Sequence, residues 1–534
     1  MTDPWFPTEW IDPSDAGLTW EWDDMHMPRA LAPLAGDYVR TMASGFAYSY
    51  RKLGTPAEIR VRIWNGYAYF GLATDVPETE RPAMWAERTE ACRARIPLTE
   101  AYWRDSVVPE VRGIYGEIAA QPVEAMSGAE LAAAWDQVWT RIGRCWSLHF
   151  YAIRGPYQVM DDLADLYESI VANAPPGEAL TLVGGGVHEL HDVERRLEGL
   201  AARAAESPAL AAQLGTPGMT IADLAAIADS GMFIADLASL LAEHGHLGQN
   251  FDDLTLASWA EEPGLLLTEL AKRVAFPVAV RAEERRRRLA EQADALADRV
   301  RAQLAGDPEK LGRFETLLAA ARAIGSLTET HNYWIDRMAQ ASLRRFVVRV
   351  GRRLAAADSI ADPADIFQLR RDEVAELLRR PQDRRALVKD RAAELAHWAA
   401  IRPPRKVGAP SEDGGGDRFD GERFSSTEPD ELRGTGASAG IVRGQARLIL
   451  TQADFGAVQP GDIIVCPSSN PSWVPLFAIA GGLITDTGGV LSHAAVVARE
   501  FALPAVVGTG DATIRITDGR LVELDGSGGT VRLL

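Results

Sequence analysis

His493 stands two glycines and a short apolar step into the segment Thr485-Asp-Thr-Gly-Gly-Val-Leu-Ser-His-Ala-Ala-Val-Val-Ala-Arg-Glu500. Ala494, Val497, Ala498 and Phe501 recur at i, i+3, i+4 and i+7, which predicts a helix that starts near Ser492 with His493 in its first turn. A helix N-terminus presents unbonded backbone N–H groups and the positive end of the helix dipole, and glycines let a chain approach a bound group closely. Gly488, Gly489 and Ser492 are therefore candidate phosphate-binding positions. Neutral imidazole can attack phosphorus through one ring nitrogen while a hydrogen bond to the other fixes its tautomer, so the chemistry on offer is phosphoryl transfer through His493. The alternative is a plain helix start, and Ser492 reads equally well as its N-cap.

A phosphohistidine needs an acceptor, and a hydroxyl acceptor loses a proton as it attacks phosphorus, so a base near neutral pH would suit it. The candidates for that base, or for binding the acceptor, are His26, His244, His246, His331, Asn332 and Asp336. His244 and His246 follow a helical stretch, with Gly245 expected to make the C-terminal turn. His331 and Asp336 are five apart, poorly placed for one face of an α-helix, whereas His331 with Ile335 and Asn332 with Asp336 are i, i+4 pairs. An interior polar network is the other reading of these three residues, and His26 could be an entry-loop residue with only a structural role. Of 14 tryptophans, only Trp473 lies in the last hundred residues; the rest either line a pocket for an aromatic acceptor or anchor helix packing. The run Arg285 to Arg288 follows Glu283 and Glu284 in a charged helix and reads as a solvated face.

These residues belong to a chain of 534 with net charge -19, which argues against nucleic acid and acidic membranes as partners. Cys92, Cys145 and Cys466 are scattered, so neither a disulfide framework nor a metal site is expected. The acidic N-terminus lacks the pattern of a secretory signal, and no stretch has the length of a spanning helix; a cytoplasmic location is the expectation.

The pattern of elements divides the chain into four. Residues 1–125 read as a small mixed subdomain, because Glu58 to Trp64 alternates polar and apolar residues before Asn65-Gly66, a hairpin signal. Residues 126–401 read as a helical acceptor-binding region, with helices expected over Glu130 to Ser169, Val187 to Ala205, Ile221 to His244, Pro277 to Leu304, Pro308 to Ala356 and Asp362 to Trp398. The Pro-, Gly- and Ser-rich residues 402–433 have linker composition. Residues 434–534 alternate short β-type runs with two helical stretches, a compact α/β domain.

The segment around His493, with Ser438-Ala-Gly-Ile-Val-Arg-Gly444 before it and Asp518-Gly519 after it, closely resembles the mobile phosphohistidine domain of the phosphoenolpyruvate-utilising enzymes. That group includes phosphoenolpyruvate synthase, pyruvate phosphate dikinase, rifampin phosphotransferase and phenylphosphate synthase. The resemblance implies that His493 is the phosphorylated residue and that its domain swivels between a donor and an acceptor site. Leu491 stands where the dikinase has a regulatory threonine, so that control is not expected. Leu240-Leu-Ala-Glu-His-Gly-His-Leu-Gly248, Ser258-Trp259 and Glu262-Pro263 resemble the acceptor-binding domain of rifampin phosphotransferase, with Leu247 where many relatives have arginine. Thr328-Glu-Thr-His-Asn-Tyr-Trp-Ile-Asp336 and Asp362-Pro-Ala-Asp-Ile-Phe367 resemble phenylphosphate-synthase-like subunits. No counterpart of the family's phosphoenolpyruvate-binding barrel or ATP-grasp domain is expected in the sequence, and Val183-Gly-Gly-Gly-Val-His188 lacks the features of a dinucleotide fingerprint. The resemblance therefore implies a split dikinase-type phosphotransferase: a separate ATP-grasp protein with ATP and Mg²⁺ charges His493, and the phosphate passes to a hydroxyl or enol of a small organic molecule. The alternative is a phosphocarrier that relays phosphate to another protein.

Overall fold

Asn65 and Gly66 both take left-handed backbone angles, φ 53° and 83°, and close the two-residue turn that the sequence announces between β2 (Glu58–Trp64) and β3 (Tyr67–Ala73). The computed structural model describes residues 5–534 except 176, 249–252, 276, 278–280, 411–427, 451–453, 455, 456, 470–473, 478 and 491. The chain divides into two compact units, 1–158 with 246–261 and 327–413, and 159–245 with 262–326 and 414–534.

In the first unit the hairpin joins β1 (Thr19–Trp22) and β4 (Lys406–Gly408) in a four-stranded sheet of order β2-β3-β1-β4. Trp20, Trp22, Trp64, Tyr67 and Tyr69 form its aromatic core. Residues 406–408 lie inside the segment expected to be a linker. They pair instead with β1, because Lys406, Val407 and Gly408 offer an extended edge opposite Glu21, Trp20 and Thr19. The middle of that segment, 411–427, lies outside the described residues. The main core of this unit is helical and includes Trp135, Trp139, Phe346 and Ile335, so most of the tryptophans that could be placed serve packing.

The helical stretches are present but subdivided. The first splits into Gly128–Ala152 and Arg154–Ile170. The stretch from Pro308 to Ala356 splits at Gly325 and continues as Leu327–His331, a π-helical turn Asn332–Arg337 and the helix Met338–Ala356. The stretch from Ile221 to His244 breaks near Asp229, whose φ is 63°.

The second unit contains the helices Glu189–Glu206, Gly231–His244, Pro263–Ala275, Ala282–Gln303 and Pro308–Ile324. Arg273 is almost fully buried among them. It donates to both oxygens of Glu194 at 2.8 Å and to Glu269 at 2.9 Å. Arg285 also reaches Glu194 and Glu198, at 3.4 and 3.5 Å. This corrects the reading of the arginine run. Arg286, Arg287 and Arg288 pair with Glu283 and Glu284 on the solvated face, but Arg285 points inward, because the helix turns it toward the carboxylates of Glu189–Glu206. Arg273→Met leaves the buried Glu269 without its guanidinium and Glu194 with only the longer contact to Arg285, so it is expected to destabilise this unit by about 3–5 kcal/mol. A urea titration against the native chain measures this directly.

The remainder of this unit is α/β: an eight-stranded sheet of order β5-β12-β11-β7-β8-β9-β10-β6. Its strands are β5 (Glu431–Arg433), β6 (Thr435–Ser438), β7 (Ile441–Leu448), β8 (Ile463–Cys466), β9 (Gly482–Thr485), β10 (Ala505–Val507), β11 (Leu521–Asp525) and β12 (Thr530–Leu533). Strands β7 to β10 run parallel, and β8, β9 and β10 are buried along their whole length, as buried parallel strands require. The fold is thus multidomain: mainly helical, with a small mixed N-terminal subdomain and a C-terminal α/β domain. Among the described residues no helix is long and apolar enough to cross a membrane.

Candidate functional site

The α/β domain places His493 as the first residue of the helix His493–Glu500, one turn of chain beyond the C-terminal end of β9. Ser492 is the N-cap, with extended backbone, and its hydroxyl accepts from the Ala495 N–H at 3.4 Å. Gly488 has φ 105°, and a Cβ there would sit 2.7 Å from Ser492 Oγ; only glycine fits both demands. The Gly489 carbonyl accepts from Ser492 N at 3.0 Å and closes the turn. Behind it lies Arg499, whose guanidinium donates to the carbonyls of Val490 at 2.7 Å and Ala437 at 3.2 Å. Burial pulls its pKa down to about 10. Arg499 was not singled out from the sequence, although its place six residues after His493 on the same short helix is the signal that could have found it. A cation held beside a helix N-terminus suits a group that binds a doubly negative phosphate.

The first unit gathers a second group of titratable side chains. His149 Nδ1 lies 2.6 Å from Asp336 Oδ1, with both side chains buried. A carboxylate only accepts, so Nδ1 carries a proton, and in the neutral ring Nε2 keeps its lone pair. The His331 ring lies 4.7 Å from that of His149. Its Nδ1–H donates to the Leu327 carbonyl at 2.7 Å, which likewise leaves Nε2 as an acceptor. Burial, and then the charge of His149, lower the His331 pKa to about 4.

The local structure explains how these residues meet. Five-residue spacing misses a shared face on an α-helix, which is why sequence reasoning separated His331 from Asp336. The π-helical turn Asn332–Arg337 hydrogen-bonds at i, i+5 and returns Asp336 to the same side as His331. His149 was missed altogether. It lies in the last turn of Gly128–Ala152, a helix started by the capping box of Ser127 and Glu130. The helix Met42–Lys52 packs closely on it: a Cβ at Gly45 would lie 2.6 Å from the Trp146 carbonyl, and Ser49 Oγ donates to the Phe150 carbonyl at 2.9 Å. Trp146 and Phe150 flank the His149 ring, at 5.2 and 4.5 Å between centroids, and Tyr157 lies 6.5 Å from His331.

The other candidates separate. His26 pairs with Asp23 at 3.0 Å, keeps 43% of its side chain exposed, and its charge is felt at His331. Asn332 begins the π-helical turn, partly buried, outside the hydrogen bonds of the pair. His246 is buried in the first unit with its ring 4.5 Å from Tyr333. His244 belongs to the second unit, 3.4 Å from Asp192, and burial lowers its pKa. Gly245 is the C-cap of the helix Gly231–His244, where it makes the C-terminal turn with right-handed backbone, φ -65°, and its N–H donates to the Leu241 carbonyl. Val183-Gly-Gly-Gly-Val-His188 is a loop before a helix, as read from the sequence. A Cβ at Gly185 would lie 2.7 Å from Ala290 Cβ, so this glycine serves close packing of the loop on the helix Ala282–Gln303.

One consequence is testable by pH. His331 titrates near 6.5 when unfolded and near 4 when folded, so between these values the unfolded chain binds more protons. Its contribution is complete above pH 6.5 and is lost as pH falls toward 4, to a maximum on the order of 3 kcal/mol. Urea midpoints measured across this window should fall more steeply for the native chain than for His331→Gln.

Residues 458–529 match the family model for the mobile domain of PEP-utilising enzymes, and residues 158–329 match that for the fourth domain of rifampicin phosphotransferase. Chondramide synthase cmdD of Chondromyces crocatus is 29% identical over all of this chain and 14% of its own length. The rifampicin phosphotransferase of Streptomyces sviceus is 38% identical over 34% of this chain and 20% of its own length. The uncharacterized phosphotransferase YvkC of Bacillus subtilis is 34% identical over 39% of this chain and 26% of its own. The chain thus spans between 14% and 26% of the length of these relatives. It carries a PEP-utilising enzyme mobile domain and a rifampicin phosphotransferase fourth domain.

Proposed function

We propose that this chain is the phosphohistidine and acceptor-binding part of an ATP-dependent dikinase-type phosphotransferase. Its acceptor is the hydroxyl of a small organic molecule: a phenol, alcohol or enol. An ATP-grasp protein with ATP and Mg²⁺ would place the β-phosphate of ATP on His493, with AMP and inorganic phosphate as the leaving products. The domain bearing phospho-His493 then carries it to the acceptor. The acceptor oxygen attacks phosphorus, the N–P bond breaks, and the hydroxyl proton moves to His149 Nε2. Asp336 holds the tautomer that can take this proton and stabilises the imidazolium that results. His331, neutral at physiological pH, offers a second acceptor atom that can orient the hydroxyl. No residue of this chain is given a role toward the nucleotide.

The observation that carries this reading is the buried His149–Asp336 pair beside a neutral His331 in a chain whose other unit contains the mobile-domain histidine. The flanking aromatic side chains favour a phenol over an aliphatic alcohol. The test is to charge the chain with an ATP-grasp partner, Mg²⁺ and ATP labelled on the β-phosphate, then add phenols and alcohols. Acid-labile label on the protein that moves to a small hydroxyl compound supports the enzyme. Label that resists every hydroxyl compound yet passes to another protein would establish the relay in its place.

A further inference from the structure

His188, His191 and Glu500 lie apart in sequence but meet in the second unit, where a ligand atom of each falls within 4.8 Å of the other two. His188 is the N-cap and His191 the third residue of the helix Glu189–Glu206, and their rings are 4.0 Å apart. Glu500 is the last residue of the helix that begins at His493. All three side chains are partly buried.

The surroundings give Glu500 little to bind. Among the described residues no hydrogen bond or ion pair to its carboxylate is formed. The nearest guanidinium groups are engaged elsewhere: Arg285 by Glu194 and Glu198, with its guanidinium carbon 4.3 Å over the Phe501 ring, and Arg499 by two backbone carbonyls. Burial raises the Glu500 pKa to about 7, and burial also lowers that of His191. Two imidazoles with one carboxylate are the donor set of many tetrahedral zinc sites, and here their ligand atoms already lie close together.

We propose that His188, His191 and Glu500 form a binding site for a divalent transition-metal ion, Zn²⁺ by preference, which ties the helix carrying His493 to the helix Glu189–Glu206. Bonds of about 2.0–2.1 Å to each ligand put tetrahedral donor atoms about 3.4 Å apart, so donor atoms that now lie within 4.8 Å of one another close by at most about 1.4 Å around the ion. Water fills the fourth position. His191 Nδ1 now accepts from His188 N–H at the long distance of 3.3 Å. Ligation through either ring nitrogen of His191 breaks this bond, and a protonated Glu500 releases its proton to solvent on binding. The site was invisible in the sequence because its third ligand comes from the other end of the chain. It requires nothing of the proposed acceptor chemistry, so it stands or falls separately.

The experiment titrates the full chain with Co²⁺, reading the visible d–d bands, and with Zn²⁺ by calorimetry. Glu500→Gln, His191→Ala and His149→Gln are run in parallel, with thermal melts as folding controls. The expected result is one ion per chain with a four-coordinate Co²⁺ spectrum, and an affinity reduced at least about 10-fold by Glu500→Gln and by His191→Ala but unaltered by His149→Gln. Zn²⁺ should also raise the melting temperature of the native chain and not that of Glu500→Gln. Equal binding by the native chain and Glu500→Gln overturns the proposal, because Gln preserves shape and fold while removing the charge. Binding lost only in His149→Gln overturns it as well, since the ion would then sit in the His149, His331 and Asp336 group.

Discussion

Asp336→Asn is expected to slow discharge of phospho-His493 to the acceptor by about 10³- to 10⁴-fold while leaving the charging of His493 at the native rate. An amide at this position can present its NH₂ group to His149 Nδ1. The imidazole then carries its proton on Nε2, where it cannot accept one from a hydroxyl. The substitution is isosteric, so the 2.6 Å contact can persist with its polarity reversed. The measurement is single-turnover: the chain is charged with labelled phosphate, freed of ATP, and mixed with acceptor. His149→Gln should lose a similar factor, because each variant disables the same proton transfer and the two losses should not add. Loss of charging as well as discharge in both variants would mean that the pair merely supports the fold.

The second large effect is expected at the carrier. His493→Ala should abolish acid-labile labelling altogether, because no other side chain in that turn can form an N–P bond. Far-UV circular dichroism should stay native, since the helix is started by Ser492 and not by His493. Arg499→Met complements this test. It should keep His493 but lower the extent of charging, through loss of the cation that fixes the Val490 carbonyl. Label retained by His493→Ala would move the phosphorylated residue elsewhere and end the present reading of the domain.

Much of this was legible from residue types alone where the determinant is local. Asn65-Gly66 fixes a two-residue turn, Ser492 caps the helix it precedes, and the periodicity of Ala494 to Phe501 gives that helix its buried face. What escaped depends on distant partners. Strands β1 and β4 are only four and three residues long, too short for a pattern to stand out, and β4 exists because β1 satisfies its backbone. The C-terminal hairpin β11–β12 went unread because Gly526 to Gly529 look like linker until their strands are paired. In the site, the i, i+5 relation of His331 and Asp336 counted against them under α-helical geometry, and a π-helical turn cannot be read from apolar periodicity. His149 sits in the last turn of a long helix, among buried apolar neighbours, where a lone histidine gives no sign of the carboxylate that meets it from far along the chain.

The pairing of Thr19–Trp22 with Lys406–Gly408 has a consequence for biogenesis. Thr19 donates through its hydroxyl to the Ala409 carbonyl, 390 positions later, and Tyr67 and Tyr69 donate to the carbonyls of Trp398, Ile401 and Pro404. On the ribosome, at roughly 5–20 residues per second, β1 therefore waits about 20–80 s for the strand that completes its sheet. Throughout that interval β1 presents an unpaired edge beside a cluster of tryptophans, the kind of surface that invites association between nascent chains. Release of this protein in soluble form thus depends on shielding its first seventy residues until the last quarter of the chain has emerged. A stop codon placed before Lys406 would leave that edge open permanently.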